Sequence, residues 1–129
     1  MKRYVILFHQ VPPEHPRGSH FDWMFETSDG LQTWATTCLP QEGEPGIPAL
    51  QLPLHRAAYL DYEGPVSGNR GTVRRMQQGT YTRLLETPDL IRLQLDGQTR
   101  EQQRLRQRLV FERERDDDWM LRSIDGEGT

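Results

Sequence analysis

Turn-forming residues recur along the whole chain and leave no room for a long helix. Pro12-Pro13, Asp29-Gly30, residues 42–48, Gly64-Pro65, residues 68–71, Gln78-Gly79, Thr87-Pro88 and Asp96-Gly97 each mark a break. Proline lacks a backbone donor and glycine tolerates left-handed backbone, so such pairs close turns instead of continuing elements. Between the breaks lie short segments of strand character at 3–10, 20–27, 31–37, 49–54, 71–76, 80–85, 90–95, 109–113 and 119–124. Many short strands with a turn about every ten residues predict an all-β, mainly antiparallel single domain over residues 1–129, a compact barrel. One stretch, 99–108, is rich in Gln, Arg and Leu and is expected to form one or two helical turns. The charged stretch 112–118 reads as a solvated hairpin tip, and 126–129 as a frayed tail.

With 129 residues and a single cysteine, the chain must hold its core by packing alone. Cys38 excludes an internal disulfide and a cysteine-based zinc cluster, and is expected to be a small core residue. The apolar run Tyr4-Val5-Ile6-Leu7-Phe8 is far too short to span a bilayer. Lys2 and Arg3 ahead of it imitate the start of a signal peptide, but His9 and Gln10 end the apolar stretch too early. The expectation is a cytoplasmic protein with no membrane partner. Net charge is −3, which does not by itself announce a nucleic-acid binder. Of the 16 basic residues only Lys2 is a lysine. The guanidinium fork suits phosphate recognition, although a general arginine preference of the organism gives the same composition.

Three of the four histidines crowd into residues 9–20. In the segment His20-Phe21-Asp22-Trp23-Met24-Phe25-Glu26, strand alternation puts His20, Asp22, Met24 and Glu26 on one face and the aromatics on the other. The aromatic face reads as core. The opposite face then carries an imidazole beside a carboxylate, directed at a barrel interior or mouth. If the first two strands form a hairpin, His9 and His20 flank one Pro-rich connection and approach each other. Two imidazoles and a carboxylate make a three-ligand site that suits Mn, Fe or Zn and leaves positions open for water or substrate. The competing reading is a His/Asp hydrogen-bonded pair that closes a strand end.

His55 stands four residues before Tyr59, and in a single helical turn the two can face one point. Together they can hold a phosphate oxygen or relay a proton, or else be a surface histidine and a half-buried tyrosine. His15 lies in a Pro-rich loop, as a solvated side chain or a substitute for His9. The turn at 68–71 can lend Arg70 to an anion.

Taken in order, these pieces resemble the 3′-phosphoesterase domain of bacterial DNA ligase D. That family has an apolar strand ending in His, then His-[Tyr/Phe]-Asp-Phe-Arg-Leu-Glu, then Gly-x-Leu-x-Ser-Trp-Ala. Here the counterparts are Tyr4 through His9, His20-Phe21-Asp22 with Phe25-Glu26, and Gly30-Leu31-Gln32-Thr33-Trp34-Ala35. His55, Tyr59 and Asp61-Tyr62-Glu63-Gly64 resemble the family's His-Pro-x-x-Tyr-x-x-Phe-Glu-Gly block. Gly71-Thr72-Val73, Gly79-Thr80-Tyr81 and Trp119-Met120-Leu121-Arg122 resemble its later turns and closing strand.

The resemblance implies a compact β-barrel enzyme that depends on a divalent metal, Mn2+ by preference, with Zn2+ or another transition metal as alternatives. It implies trimming of nucleic-acid 3′ ends in DNA repair, by removal of a 3′ ribonucleoside or a 3′-phosphate, on DNA or on a DNA/RNA primer-template. A separate ligase or polymerase would be its partner. By position, His9, His20 and Asp22 would be metal ligands, while His55 and Tyr59 would contact the scissile phosphate, with His55 the proton-transfer group.

Three features depart from the family pattern. Met24 stands where the family has a phosphate-binding Arg, and a thioether cannot replace that fork unless Arg17, Arg56 or another arginine reaches in. The spacing from His9 to His20 is longer, which makes His15 a rival ligand. The chain starts directly at the first strand, where the family carries a basic extension. Two other functions therefore stay open: a catalytically weakened relative that only binds nucleic acid or a partner, and a non-haem iron oxygenase built on the same ligands.

Overall fold

A computed structural model describes residues 1–124; the tail expected at 126–129 lies outside the described residues. The strands are β1 (Lys2–Gln10), β2 (His20–Thr27), β3 (Gly30–Thr36), β4 (Ile47–His55), β5 (Gly64–Pro65), β6 (Thr72–Glu86), β7 (Leu90–Thr99), β8 (Arg104–Arg115) and β9 (Asp118–Ile124). A single 3-10 turn, Ala57–Leu60, is the one helical element among the described residues. Adjacent strands pair antiparallel, and eight of them close a barrel in the order β1-β2-β3-β4-β9-β8-β7-β6, with β6 returning to β1. Closure leaves no long sheet edge. The short β5 pairs with Thr72 and Val73 at the start of β6. No helix among the described residues is long and apolar enough to cross a membrane.

The barrel interior is filled by alternate side chains of every long strand. Tyr4, Ile6, Trp23, Phe25, Trp34, Leu93, Leu109, Phe111 and Trp119 all lie in one buried cluster. Trp34 stacks on Phe111 at 4.2 Å between ring centroids, and Phe25 meets Tyr81 edge-on at 5.2 Å. A second buried cluster lies on the other face of β1, β2 and β3, outside the barrel. It joins Val5, Leu7, Met24, Leu31, Leu60 and Val73, with Tyr59 and Val66 packed against it. The polar face expected on β2 is therefore not at the barrel interior. It lies on the outer surface, roofed by the 3-10 turn and the loop that follows. Arg3 ties that roof to β1 by donating to the Asp61 carboxylate at 2.8 Å and to the Leu60 carbonyl at 3.4 Å.

Four other expectations need correction. Residues 99–108 form no helical turn: Thr99 ends β7, Arg104 begins β8, and Gln102 takes the left-handed φ of 67° that reverses the chain. Ladder pairing of Gln98 with Arg104 and of Leu95 with Gln107 outweighs the helix propensity of the Gln/Arg/Leu stretch. The expected strands 71–76 and 80–85 are one strand, β6, and neither Gln78-Gly79 nor Asp96-Gly97 is a turn. Gly79 and Gly97 pair directly across β6 and β7. A Cβ on either would run into backbone of the facing strand, and one on Gly97 would also meet the Tyr4 hydroxyl. These glycines mark a close approach of two backbones, not a break. Finally, Cys38 is exposed and belongs to no core.

Candidate active site

β1 and β2 form a hairpin in which His9 pairs directly with His20, the ring centroids 5.0 Å apart. Asp22 pairs with Leu7 on the next rung of the same face. One ligand atom each from His9, His20 and Asp22 lies within 4.8 Å of the others, as the three-ligand expectation requires. His15 is not among them; its Nδ1 accepts the Arg17 backbone N–H at 3.1 Å and so serves the loop. The longer connection is absorbed by that loop, and His9 keeps the position at the cluster.

The hydrogen bonds around the three groups fix which atoms point inward. His20 Nδ1 lies 2.8 Å from the Gly18 carbonyl and His9 Nε2 lies 2.7 Å from the Arg70 carbonyl. A carbonyl can only accept, so these ring nitrogens carry the protons. That leaves His20 Nε2 and His9 Nδ1 facing Asp22, at 3.2 Å from Oδ1 and 3.7 Å from Oδ2. Asp22 is 2% exposed, and its Oδ1 has no hydrogen-bond partner of acceptable geometry. Burial opposes ionisation of Asp22, but the two imidazoles and the charge of His55 outweigh it and hold the carboxyl below its usual range. Burial likewise opposes the imidazolium of His20, yet Asp22 and the Gly18 carbonyl raise its pKa above the ordinary value.

A buried, ionised, orphaned carboxylate oxygen beside two imidazole lone pairs is an arrangement that a divalent cation completes. The donor set fits such an ion, with the outward nitrogen of each histidine already held by a carbonyl as metal-bound histidines require.

His55 ends β4, and Tyr59 sits in the 3-10 turn that follows, their rings 6.0 Å apart. Both line one cavity of about 240 Å³ together with His9, Asp22, Met24, Arg56 and Arg70. His55 Nδ1 lies 2.9 Å from the Pro53 carbonyl, so a neutral His55 carries its lone pair on Nε2. Four of the five expected site residues thus line one cavity, and His20, the fifth, adjoins it through its cluster with His9 and Asp22. Met24 is buried and lines this cavity. Arg56 and Arg70 line the same cavity, while Arg17 does not. The Arg70 guanidinium donates to the Ser67 carbonyl at 2.6 Å and to the Ser67 hydroxyl at 3.1 Å, and its backbone carbonyl meets His9.

Sequence reasoning missed the apolar roof, Leu60 and Val66, that seats the tyrosine over the histidines. The signal was the unbroken run Tyr4 through Phe8: a strand apolar on both faces is covered on both. No family model matches the chain, and no curated protein matches it.

Proposed function

We propose that the chain is a divalent-metal-dependent phosphoesterase that trims 3′ ends of nucleic acid, with Mn2+ as the preferred ion. The observation that carries this reading is the cluster of His9, His20 and Asp22, of which His9 and Asp22 line a cavity together with His55, Tyr59, Arg56 and Arg70. The ordered resemblance to the ligase D phosphoesterase blocks supports the choice of substrate.

His9 Nδ1, His20 Nε2 and an Asp22 oxygen would hold the ion. Bound there, a divalent metal supplies positive charge to a phosphoryl oxygen and acidity to a coordinated water. The chain's own groups do the rest. Among the described residues Asp22 is the one carboxylate lining the cavity, against two histidines and two arginines, so the cavity favours an anion. Arg56 and Arg70 attract and orient the phosphate. The Tyr59 hydroxyl donates to a phosphate oxygen, and His55, with Nε2 unprotonated when neutral, moves a proton at that atom. The preset tautomer means no imidazole has to turn during the reaction.

The test is phosphate release from a primer-template ending in a 3′-phosphate, with manganese present. Release that disappears in His20→Ala, and falls by about a hundredfold or more in His55→Ala, supports the reading. No release with any divalent metal would leave a protein that only binds. The lining of the cavity by Arg56, next to His55, favours catalysis over that alternative, because it offers positive charge near the position where Met24 lacks it.

A further inference from the structure

The three-residue cluster is the wall between two cavities. His20 lines a second and larger cavity of about 750 Å³, which shares no lining residue with the first. That volume is within the range of sites that enclose small organic ligands. Ala35, Pro48, Leu50 and Met120 give it apolar lining, and the ring of His20 is shared with the cluster. Its charged groups balance: Arg17 and Arg115 stand against Glu114 and Asp118. The smaller cavity is built the opposite way, with guanidinium and imidazole groups around one carboxylate. One side of the cluster suits an anion, and the other suits a neutral body with polar edges.

We infer that the larger cavity seats the nucleoside of the terminal nucleotide whose phosphate enters the smaller one, an assignment that rests on the phosphoesterase reading. A nucleobase matches this lining. Its faces are apolar enough to lie on Leu50 and Ala35, and its edges offer donors and acceptors to the carboxylates and guanidinium groups of the rim. A phosphate would gain nothing where two positive and two negative groups cancel. A wholly apolar ligand would meet the polar edges of Arg17, Glu114 and the Arg115–Asp118 pair without answering them. Leu50 keeps 38% of its surface exposed despite its apolar neighbours, which is the state of a floor that a ligand covers.

Calorimetric titration of the full chain with inorganic phosphate, adenosine and adenosine 3′-monophosphate tests this. The nucleotide should bind at least about tenfold more tightly than phosphate, the scale of one buried apolar group or one stacked base. Thr37 is exposed on the rim of the cavity, so Thr37→Trp blocks it without touching the core. That variant should erase the advantage of the nucleotide and leave phosphate affinity as it was. Leu50→Asp, which removes the apolar floor, should do the same. A nucleotide no tighter than phosphate overturns the nucleoside site, as does an advantage that survives both variants. If adenosine binds, is blocked by Thr37→Trp, and phosphate does not bind at all, the phosphoesterase reading falls and the nucleoside site stands. If neither binds, both fall.

Discussion

The two faces of the β1–β2 hairpin are built from adjacent residues and obey opposite rules. On the inner face, Tyr4, Trp23 and Phe25 are buried and most of the polar atoms brought in with the aromatic side chains are satisfied. Tyr4 donates to Gln77 at 2.7 Å, Trp23 to Thr36 at 3.0 Å, and Trp119 to Gln51 at 3.0 Å. The Trp34 indole is the exception, without a partner among the described residues. On the outer face, His20 and Asp22 are as deeply buried, but Asp22 Oδ1 accepts no hydrogen bond, with His20 Nε2 its ion-pair neighbour at 3.2 Å. An unmet donor in an aromatic core is a modest cost, whereas an unmet ionised acceptor is a large one. The first is a by-product of packing, and the second persists where it has a ligand to meet. The inner face holds the fold, and the outer face spends some of that stability on a site.

The largest way to break the contrast is through the inner face. Phe25 is fully buried and lies 6.2 Å or less, ring to ring, from Tyr4, Trp34, Tyr81 and Phe111. Phe25→Ala should cost about 3–5 kcal/mol in chemical denaturation. The outer face should respond to metal instead. Manganese at about a hundred times its dissociation constant should stabilise the wild-type chain by about 2.7 kcal/mol, through binding only the folded state. In Asp22→Asn the unfolding midpoint should no longer move with manganese, while the metal-free protein should lose less than Phe25→Ala does, because only the contacts of the carboxylate with His9 and His20 are given up. A metal-free loss as large as that of Phe25→Ala would mean that Asp22 is a structural residue.

The third prediction lies where the faces meet a common limit. Met24 is 1% exposed, packed with Val5, Leu7 and Leu31, and also lines the smaller cavity. Met24→Arg puts a guanidinium into that cavity and a longer stem into a filled cluster. Turnover of the 3′-phosphate substrate should rise, and stability should fall by about 1–3 kcal/mol. A fall in both would show that Arg56 and Arg70 already meet the need.

The barrel was legible because its evidence is local. Turn pairs and strand alternation are written within a few residues, as is the pairing of His9 with His20 across one connection. What depends on distant contacts was not legible. Gln78-Gly79 and Asp96-Gly97 have the composition of turns, and only their mutual pairing shows them to be flat crossing points of β6 and β7. Likewise 99–108 has the composition of a helix, and a neighbouring strand decides against it. At the site, residue types and spacing offered His9, His20 and Asp22, and the family resemblance added His55 and Tyr59. They could not say that the cluster lies outside the barrel, because a face with polar side chains reads the same whether a roof covers it or not. Nor could they reveal the larger cavity, whose lining comes from the ends of five separate strands and loops.

The smallest expected effect separates the faces by pH. Burial, with Asp96 adding to it, raises the pKa of the Tyr4 phenol well above the ordinary 10.0, and Tyr81 shifts the same way, chiefly through burial. The folded state therefore keeps its phenolic protons where the unfolded chain has begun to lose them. A raised pKa contributes stability that is complete below pH 10 and is lost as pH climbs above it. Tyr4→Phe removes one such proton together with the hydrogen bond to Gln77. Near neutral pH it should cost about 1 kcal/mol, and above pH 10 the gap between variant and wild type should narrow. Denaturation midpoints from pH 8 to about 11 read this directly. A gap that stays constant would place the alkaline sensitivity elsewhere in the molecule. A gap that closes would assign it to the inner face, the half of the hairpin whose task is to stay shut.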